Sequence, residues 1–248
     1  MRAPVETIAA PLFPTKLPWL NTNGAKESIL QRGRPMLIEF WDFCRPNSIR
    51  TLPYMKAWHE RYAEDGLRVI GVHCPGFAPS HEEQAVRDAV KRLQIDYPVL
   101  IDSDFELWRE YDNRGWPARY LFDGRARLFD YHYGEGAYRD TELAIQELLC
   151  VQREPLPSLR PEDAPDAHVV APTGDQLGAW SGEYEAGGVW AVLAGAGTVT
   201  VNAETMLTVE HPGAYHLLEH SSHTKATLEL DVGPGAECLA TCFTPGVA

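Results

Sequence analysis

Apolar and polar positions change rhythm near residue 173, and that change divides the chain into two kinds of structure. Residues 36–41 (MLIEFW) form an apolar run interrupted only by Glu39, the pattern of a strand buried on both faces. Beyond Cys44-Arg45-Pro46-Asn47-Ser48, residues 49–63 carry Leu52, Met55, Trp58 and Tyr62 at helical spacing, with Pro53 inside the first turns. Residues 67–73 and 97–101 read as further buried strands. Between them, 79–94 reads as a charged helix opened by Ser80-His81-Glu82-Glu83 in a capping-box-like order. Asp102-Ser103-Asp104 caps a short helix over 105–112, and Asp123-Gly124 turns strand 118–122 back into strand 126–133. A helix over 138–149 follows. This alternation calls for a mostly parallel sheet with helices on its faces.

The flanks read differently. Residues 1–35 form an extended lead-in, because Pro11, Pro14 and Pro18 forbid a regular helix and Trp19-Leu20-Asn21 supplies one apolar anchor. Residues 151–172 hold five prolines among scattered charges, a linker or an arm laid over a neighbouring surface. From 173 onward, short alternating segments (189–193, 198–201, 206–209, 214–218, 227–232, 237–243) are separated by Gly, Asn and Pro. That spacing predicts antiparallel strands in a small sandwich or jelly roll. The expected organisation is an α/β domain over 1–150, a Pro-rich linker over 151–172 and an all-β domain over 173–248.

Composition narrows the function classes. Lys+Arg of 22 against Asp+Glu of 35 gives a net charge of −13. That balance, without a basic stripe, argues against nucleic acid as a partner. The first residues lack a sustained apolar core of the secretory kind and no later run has the length of a membrane span, so the expectation is a cytoplasmic protein without a membrane partner. Five unevenly spaced cysteines make no disulfide framework and fit a reduced compartment.

The chemistry gathers where strand 36–41 feeds its helix. A Cys beside an Arg at a helix N-terminus is a place where free N–H groups stabilise a thiolate or a bound anion. Phe40-Trp41, a Cys-containing turn and Pro53 together resemble the active-site segment of thioredoxin-like redoxins of the TlpA and DipZ type. So do the lead-in Phe13-Pro14…Trp19-Leu20-Asn21 and the Trp116-Pro117 dipeptide. The family pattern is Phe-Trp-x-x-x-Cys-x-x-Cys, and here its two Cys positions hold Arg45 and Ser48, with Cys44 one residue early. The resemblance implies a thioredoxin-like fold over roughly 11–150, a cis Trp116–Pro117 bond facing the Cys44–Ser48 turn, and a buried acid at Glu39. For the C-terminal part it implies a module like the carbohydrate-binding-module-like one of DipZ-type proteins.

Two functions follow. In the first, Cys44 is a lone reactive thiol aided by Arg45, Ser48 and Glu39, acting on a protein disulfide or a peroxide with a small thiol closing the cycle. Trp116, Pro117, Trp41 and Asn47 would then contact the substrate. Asp42 shares the strand side of Cys44, so Cys44 is expected to be partly exposed. In the second, the dithiol chemistry is gone, and Arg45 and its helix end recognise an anionic ligand or a protein. Glu39 then has no thiol to serve and reads as a buried acid with a raised pKa. Cys74, after strand 67–73, is either a resolving thiol or a core residue. No cofactor motif occurs, and His211, His216, His220 and His223 with Cys238 and Cys242 match no metal-finger spacing. Trp180, Tyr184, Trp190 and Tyr215 read as core aromatics rather than a sugar platform.

Overall fold

A computed structural model describes residues 8–22 and 33–248; the remainder of the expected lead-in lies outside the described residues. A six-stranded sheet in the order β1-β4-β3-β2-β5-β6 organises the first half. Its strands are β1 (Trp19–Leu20), β2 (Met36–Trp41), β3 (Arg68–His73), β4 (Val99–Ile101), β5 (Ala118–Phe122) and β6 (Leu128–Tyr133). Only the β2–β3 and β3–β4 pairs are parallel; β1, β5 and β6 pair antiparallel to their neighbours. The sheet is therefore mixed, because the tight Asp123-Gly124 hairpin forces β5 and β6 to run in opposite directions. Asp123 Oδ1 closes that turn by accepting the N–H groups of Arg125 and Arg127, each at 2.8 Å.

The apolar run of β2 is buried throughout because both faces of the sheet are covered. Leu37 and Trp41 pack beneath helix α1 (Pro46–Tyr62), with its Leu52, Met55, Trp58 and Tyr62. Met36, Ile38 and Phe40 pack on the opposite face, with Phe13 of the lead-in and Leu107 of α3 (Glu106–Glu110). Pro46 at the start of α1 spends no useful N–H, and Pro53 is accommodated within the helix. The charged helix is shorter than its pattern suggests. A 3₁₀ turn (Ala78–His81) precedes α2 (Glu83–Arg92), because Ser80 bonds back to Phe77 instead of capping the helix. Asp102 caps α3 as expected, accepting the N–H groups of Glu106 at 2.6 Å and Trp108 at 2.9 Å. Helix α4 (Tyr138–Leu149) completes this half.

Residues 151–172 lie against the α1–α4 side. Leu156 N–H donates to Glu142 Oε2 (2.8 Å), and Tyr54 Oη donates to Asp163 (2.8 Å) while accepting from Leu159 N–H (2.8 Å). Arg50, 4% exposed, bridges Glu135 and Glu162 at 2.7 and 2.5 Å.

The C-terminal part is all β. Strands β12 (Gly213–Leu228), β9 (Gly182–Gly195), β14 (Ala236–Thr244) and β8 (Gln176–Leu177) form one antiparallel sheet. Strands β11 (Thr205–Val209), β10 (Gly197–Val201) and β13 (Leu230–Val232) form a second, and β15 (Gly246–Val247) pairs with β7 (Val169–Val170). Two strands are far longer than the segments expected at 189–193 and 214–218. Shifts of register in β12 let it bend past its glycine-rich partner and keep pairing. Strand β9 is buried on both sides from Ala186 to Leu193. Val189, Ala191 and Leu193 enter the core between the β-sheets, whereas Trp190 and Val192 join the cluster that holds Phe43, Cys44 and Trp58.

Candidate functional site

At the C-terminal end of β2 the chain turns through Asp42, Phe43 and Cys44 into α1. The buried Asp42 carboxylate organises this turn: Oδ1 accepts Cys44 N–H at 2.9 Å and Oδ2 accepts Gly76 N–H at 2.8 Å. His73 Nε2 lies 3.5 Å from the same Oδ1, and the Phe43 ring stacks on the His73 ring at 5.3 Å. Ser48 Oγ accepts Asp42 N–H at 3.2 Å, so the hydroxyl at the second family Cys position is tied to the backbone. Asp42 was expected to mark a solvent-facing strand side. It is instead fully buried, because two N–H groups and a histidine replace water around it.

Cys44 is buried as well, which corrects the expected partial exposure. Burial pushes its thiol pKa up strongly and the nearby Asp42 charge adds to this; the Ser80 hydroxyl, Arg45 and Arg92 oppose with smaller effects. The cover comes from the β-rich part. Ala214 N–H donates to Phe43 C=O at 3.2 Å, and Arg92 reaches Pro212 C=O at 3.5 Å. Cys74 packs in the cluster on the other face of the sheet from Cys44, within 3.5 Å of Asp102, so the two thiols are not neighbours.

Arg45 takes the opposite course. Its guanidinium lies between the rings of Phe77 and Trp116, 4.6 and 4.7 Å from their centroids, a stacked cation held by two π faces. One NH2 contacts Gly76 C=O at 3.4 Å, and Nε is without a partner among the described residues. Gly76 is required there, since a Cβ would come within 2.6 Å of Arg45 Nε and 2.8 Å of Asp42 Oδ2. Trp116–Pro117 is cis and its loop faces the Cys44–Ser48 turn; Trp116 Nε1 donates to Cys74 C=O at 3.0 Å. Arg45 opens into a cleft of about 460 Å³, walled by Phe77 on one side and by Asp175, Leu177, Leu239 and Cys242 on the other. Asn47 is exposed at the helix start, whereas Trp41 is fully buried in the core and is no surface contact.

Glu39 stands across from Arg119 in the β2–β5 pairing, beneath α1. Burial raises its pKa to about 8, against the pull of Arg119. Neither of its oxygens, nor Tyr97 Oη, nor the indole N–H groups of Trp41 and Trp58, has a partner among the described residues.

Sequence reasoning missed Asp42 as the hub, Phe77 and Gly76 as walls, and the β-rich part as cover. Pro75-Gly76 after β3 was a signal for the walls, and the apolar run of β9 a trace of the cover; the rest depends on distant segments meeting. Among the described residues there is no cluster fit to hold a metal, and no helix is long and apolar enough to cross a membrane.

The sheet order, the helix that follows β2 and the cis-proline loop opposite its start define a thioredoxin-like fold. Residues 9–128 match the AhpC/TSA family, and this stretch is a thioredoxin-like domain of that family, homologous to DipZ and to thiol-disulfide oxidoreductases. It is 38% identical over 133 residues to DipZ of Mycobacterium tuberculosis, covering 53% of this chain and 19% of that protein. The chain thus spans less than a fifth of that relative's length. It is 25% identical over 132 residues to the thiol-disulfide oxidoreductase YkuV of Bacillus subtilis, covering 53% of this chain and 88% of that one. In structure it resembles a thioredoxin-like protein solved in its oxidised form, with a TM-score of 0.51 at 24% identity over 57% of this chain and 95% of that one.

Proposed function

We propose that this protein is a redox-inactive thioredoxin-fold binding protein that recognises a ligand or protein partner through an anionic group at Arg45. The observation that carries this reading is the contrast between two adjacent residues. Cys44 is sealed under the β-rich part with its thiol pKa raised, whereas Arg45 is half-buried and lines an open cleft. A guanidinium between two aromatic rings keeps its planar fork available for a carboxylate, phosphate or sulfate. The relatives named for thiol-disulfide exchange share the fold; the resemblance to the Phe-Trp-x-x-x-Cys-x-x-Cys pattern puts Arg45 and Ser48 at its two Cys positions.

The other reading, a single-thiol oxidoreductase acting on a protein disulfide or peroxide, keeps one favourable feature. Arg45, Arg92 and the Ser80 hydroxyl all lower the Cys44 pKa. It requires the β-rich part to move away first.

Benzoate, a flat carboxylate suited to the cleft, tests the binding reading. Saturable quenching of tryptophan fluorescence that is lost in Arg45→Gln supports it. Absence of saturable binding, together with rapid iodoacetamide capture of Cys44 in the folded protein, would replace it with the single-thiol enzyme.

A further inference from the structure

A second concavity, of about 450 Å³, lies on the face of the six-stranded sheet opposite Cys44. Its floor is aromatic. Tyr120 and Tyr131 are direct cross-strand partners on β5 and β6, and Tyr133 follows two residues after Tyr131, so all three project from one face. Tyr111, in the loop after α3, leans over them, with its ring 5.2 Å from Tyr120 and 6.0 Å from Phe122. Tyr131 and Tyr133 are 5.6 Å apart, and Tyr120 and Tyr133 6.0 Å, so the rings form one contiguous set.

The charge at the rim points to the class of occupant. The rim carries Glu110 and Asp112 against Arg114, whose charge is matched by Asp112 at 2.9 Å. Among the described residues the rim is therefore net negative, and the chain as a whole carries −13. Aromatic faces present negative quadrupole density, which attracts a cation, and an acidic rim adds to that attraction. An anion is disfavoured on both counts, and a neutral ring gains nothing from the rim.

We propose that this pocket binds a small organic cation of the alkylammonium class, with its methyl groups against the tyrosine rings and its charge toward the Glu110–Asp112 rim. Its volume suits a small ligand. The site is independent of Arg45 and of any redox chemistry.

The test titrates the full chain with trimethylammonium chloride at constant ionic strength, followed by calorimetry and tyrosine NMR signals. Tert-butanol serves as a neutral probe of similar shape. Saturable binding of trimethylammonium is expected, with tert-butanol roughly two- to fivefold weaker, the size of a surface cation–π contribution. Tyr131→Leu, which keeps bulk but removes a ring, and Glu110→Gln, on the exposed rim, should each weaken the cation roughly two- to fivefold. Their thermal melts, compared with the parent, show that both remain folded. No saturable binding, equal affinity for tert-butanol, or affinity unchanged in both variants would overturn the assignment.

Discussion

The N–H of Ala214 donates to the carbonyl of Phe43 across 3.2 Å, joining the β-rich part to the residue immediately before Cys44. This contact sits where a thioredoxin-like protein would expose its reactive turn, and Trp190 and Val192 enter the same hydrophobic cluster as Cys44. Access to the thiol is thus decided by a segment some 170 residues further along the chain (Phe43 to Ala214).

Native Cys44 should alkylate more slowly at neutral pH than the same residue in urea-unfolded chain. Asp42 raises its pKa, so Asp42→Asn should speed native alkylation while costing about 1–3 kcal/mol for disturbing buried N–H partners. Mass-spectrometric rates at Cys44, with urea melts of both proteins, check this. Equal rates in the parent and its unfolded control would show that the cover is not closed.

Insulin-type disulfides should not be reduced catalytically with dithiothreitol or thioredoxin reductase as electron donor. Attack and resolution need two thiols, and Arg45 and Ser48 occupy those places. A turbidity assay showing turnover above the dithiothreitol background would contradict this.

Glu39 should make stability depend on pH. Its folded pKa is raised from 4.5 to about 8, so the folded state holds the proton more tightly than the unfolded state does. Stability from this group is full below about pH 4.5 and is lost progressively as pH rises through 8. The full shift corresponds to on the order of 3–5 kcal/mol. Glu39→Gln should flatten this slope in denaturant melts taken from pH 5 to 9 and leave the variant more stable at the alkaline end. A slope unchanged by the substitution would assign it to other groups.

Arg50 should be the fastening of the 151–172 segment. Arg50→Ala would strand the nearly buried Glu135 and leave Glu162 only Arg160 at 3.7 Å, at a cost of about 3–5 kcal/mol. Limited proteolysis should spare 151–172 in the parent and nick it in the variant. Early cleavage there in the parent would mean that the segment is a free linker between independent units.

Much of the fold was legible in the sequence because its signals are local. The buried run of β2, the Asp102 cap, the Asp123-Gly124 hairpin and the Trp116-Pro117 loop each rest on neighbouring residues, and the structure keeps all four. The placing of Arg45 and Ser48 at the two Cys positions of the family pattern likewise rests on the resemblance of one short stretch. What the sequence left open is set by residues far apart. Asp42 reads as a polar residue on a strand side nearing water, until Gly76 and His73 come round to enclose it. Cys44 reads as a thiol favoured by a helix start, until the β-rich part removes it from solvent and desolvation outweighs the nearby cations. The run of apolar residues in β9 did carry a trace of this: a strand with only one buried face would alternate, and Trp190 and Val192 break the alternation because a second surface covers them. Charge and propensity act over a few residues and can be read in order, whereas desolvation depends on everything that comes to surround a group, and only the tertiary structure decides that.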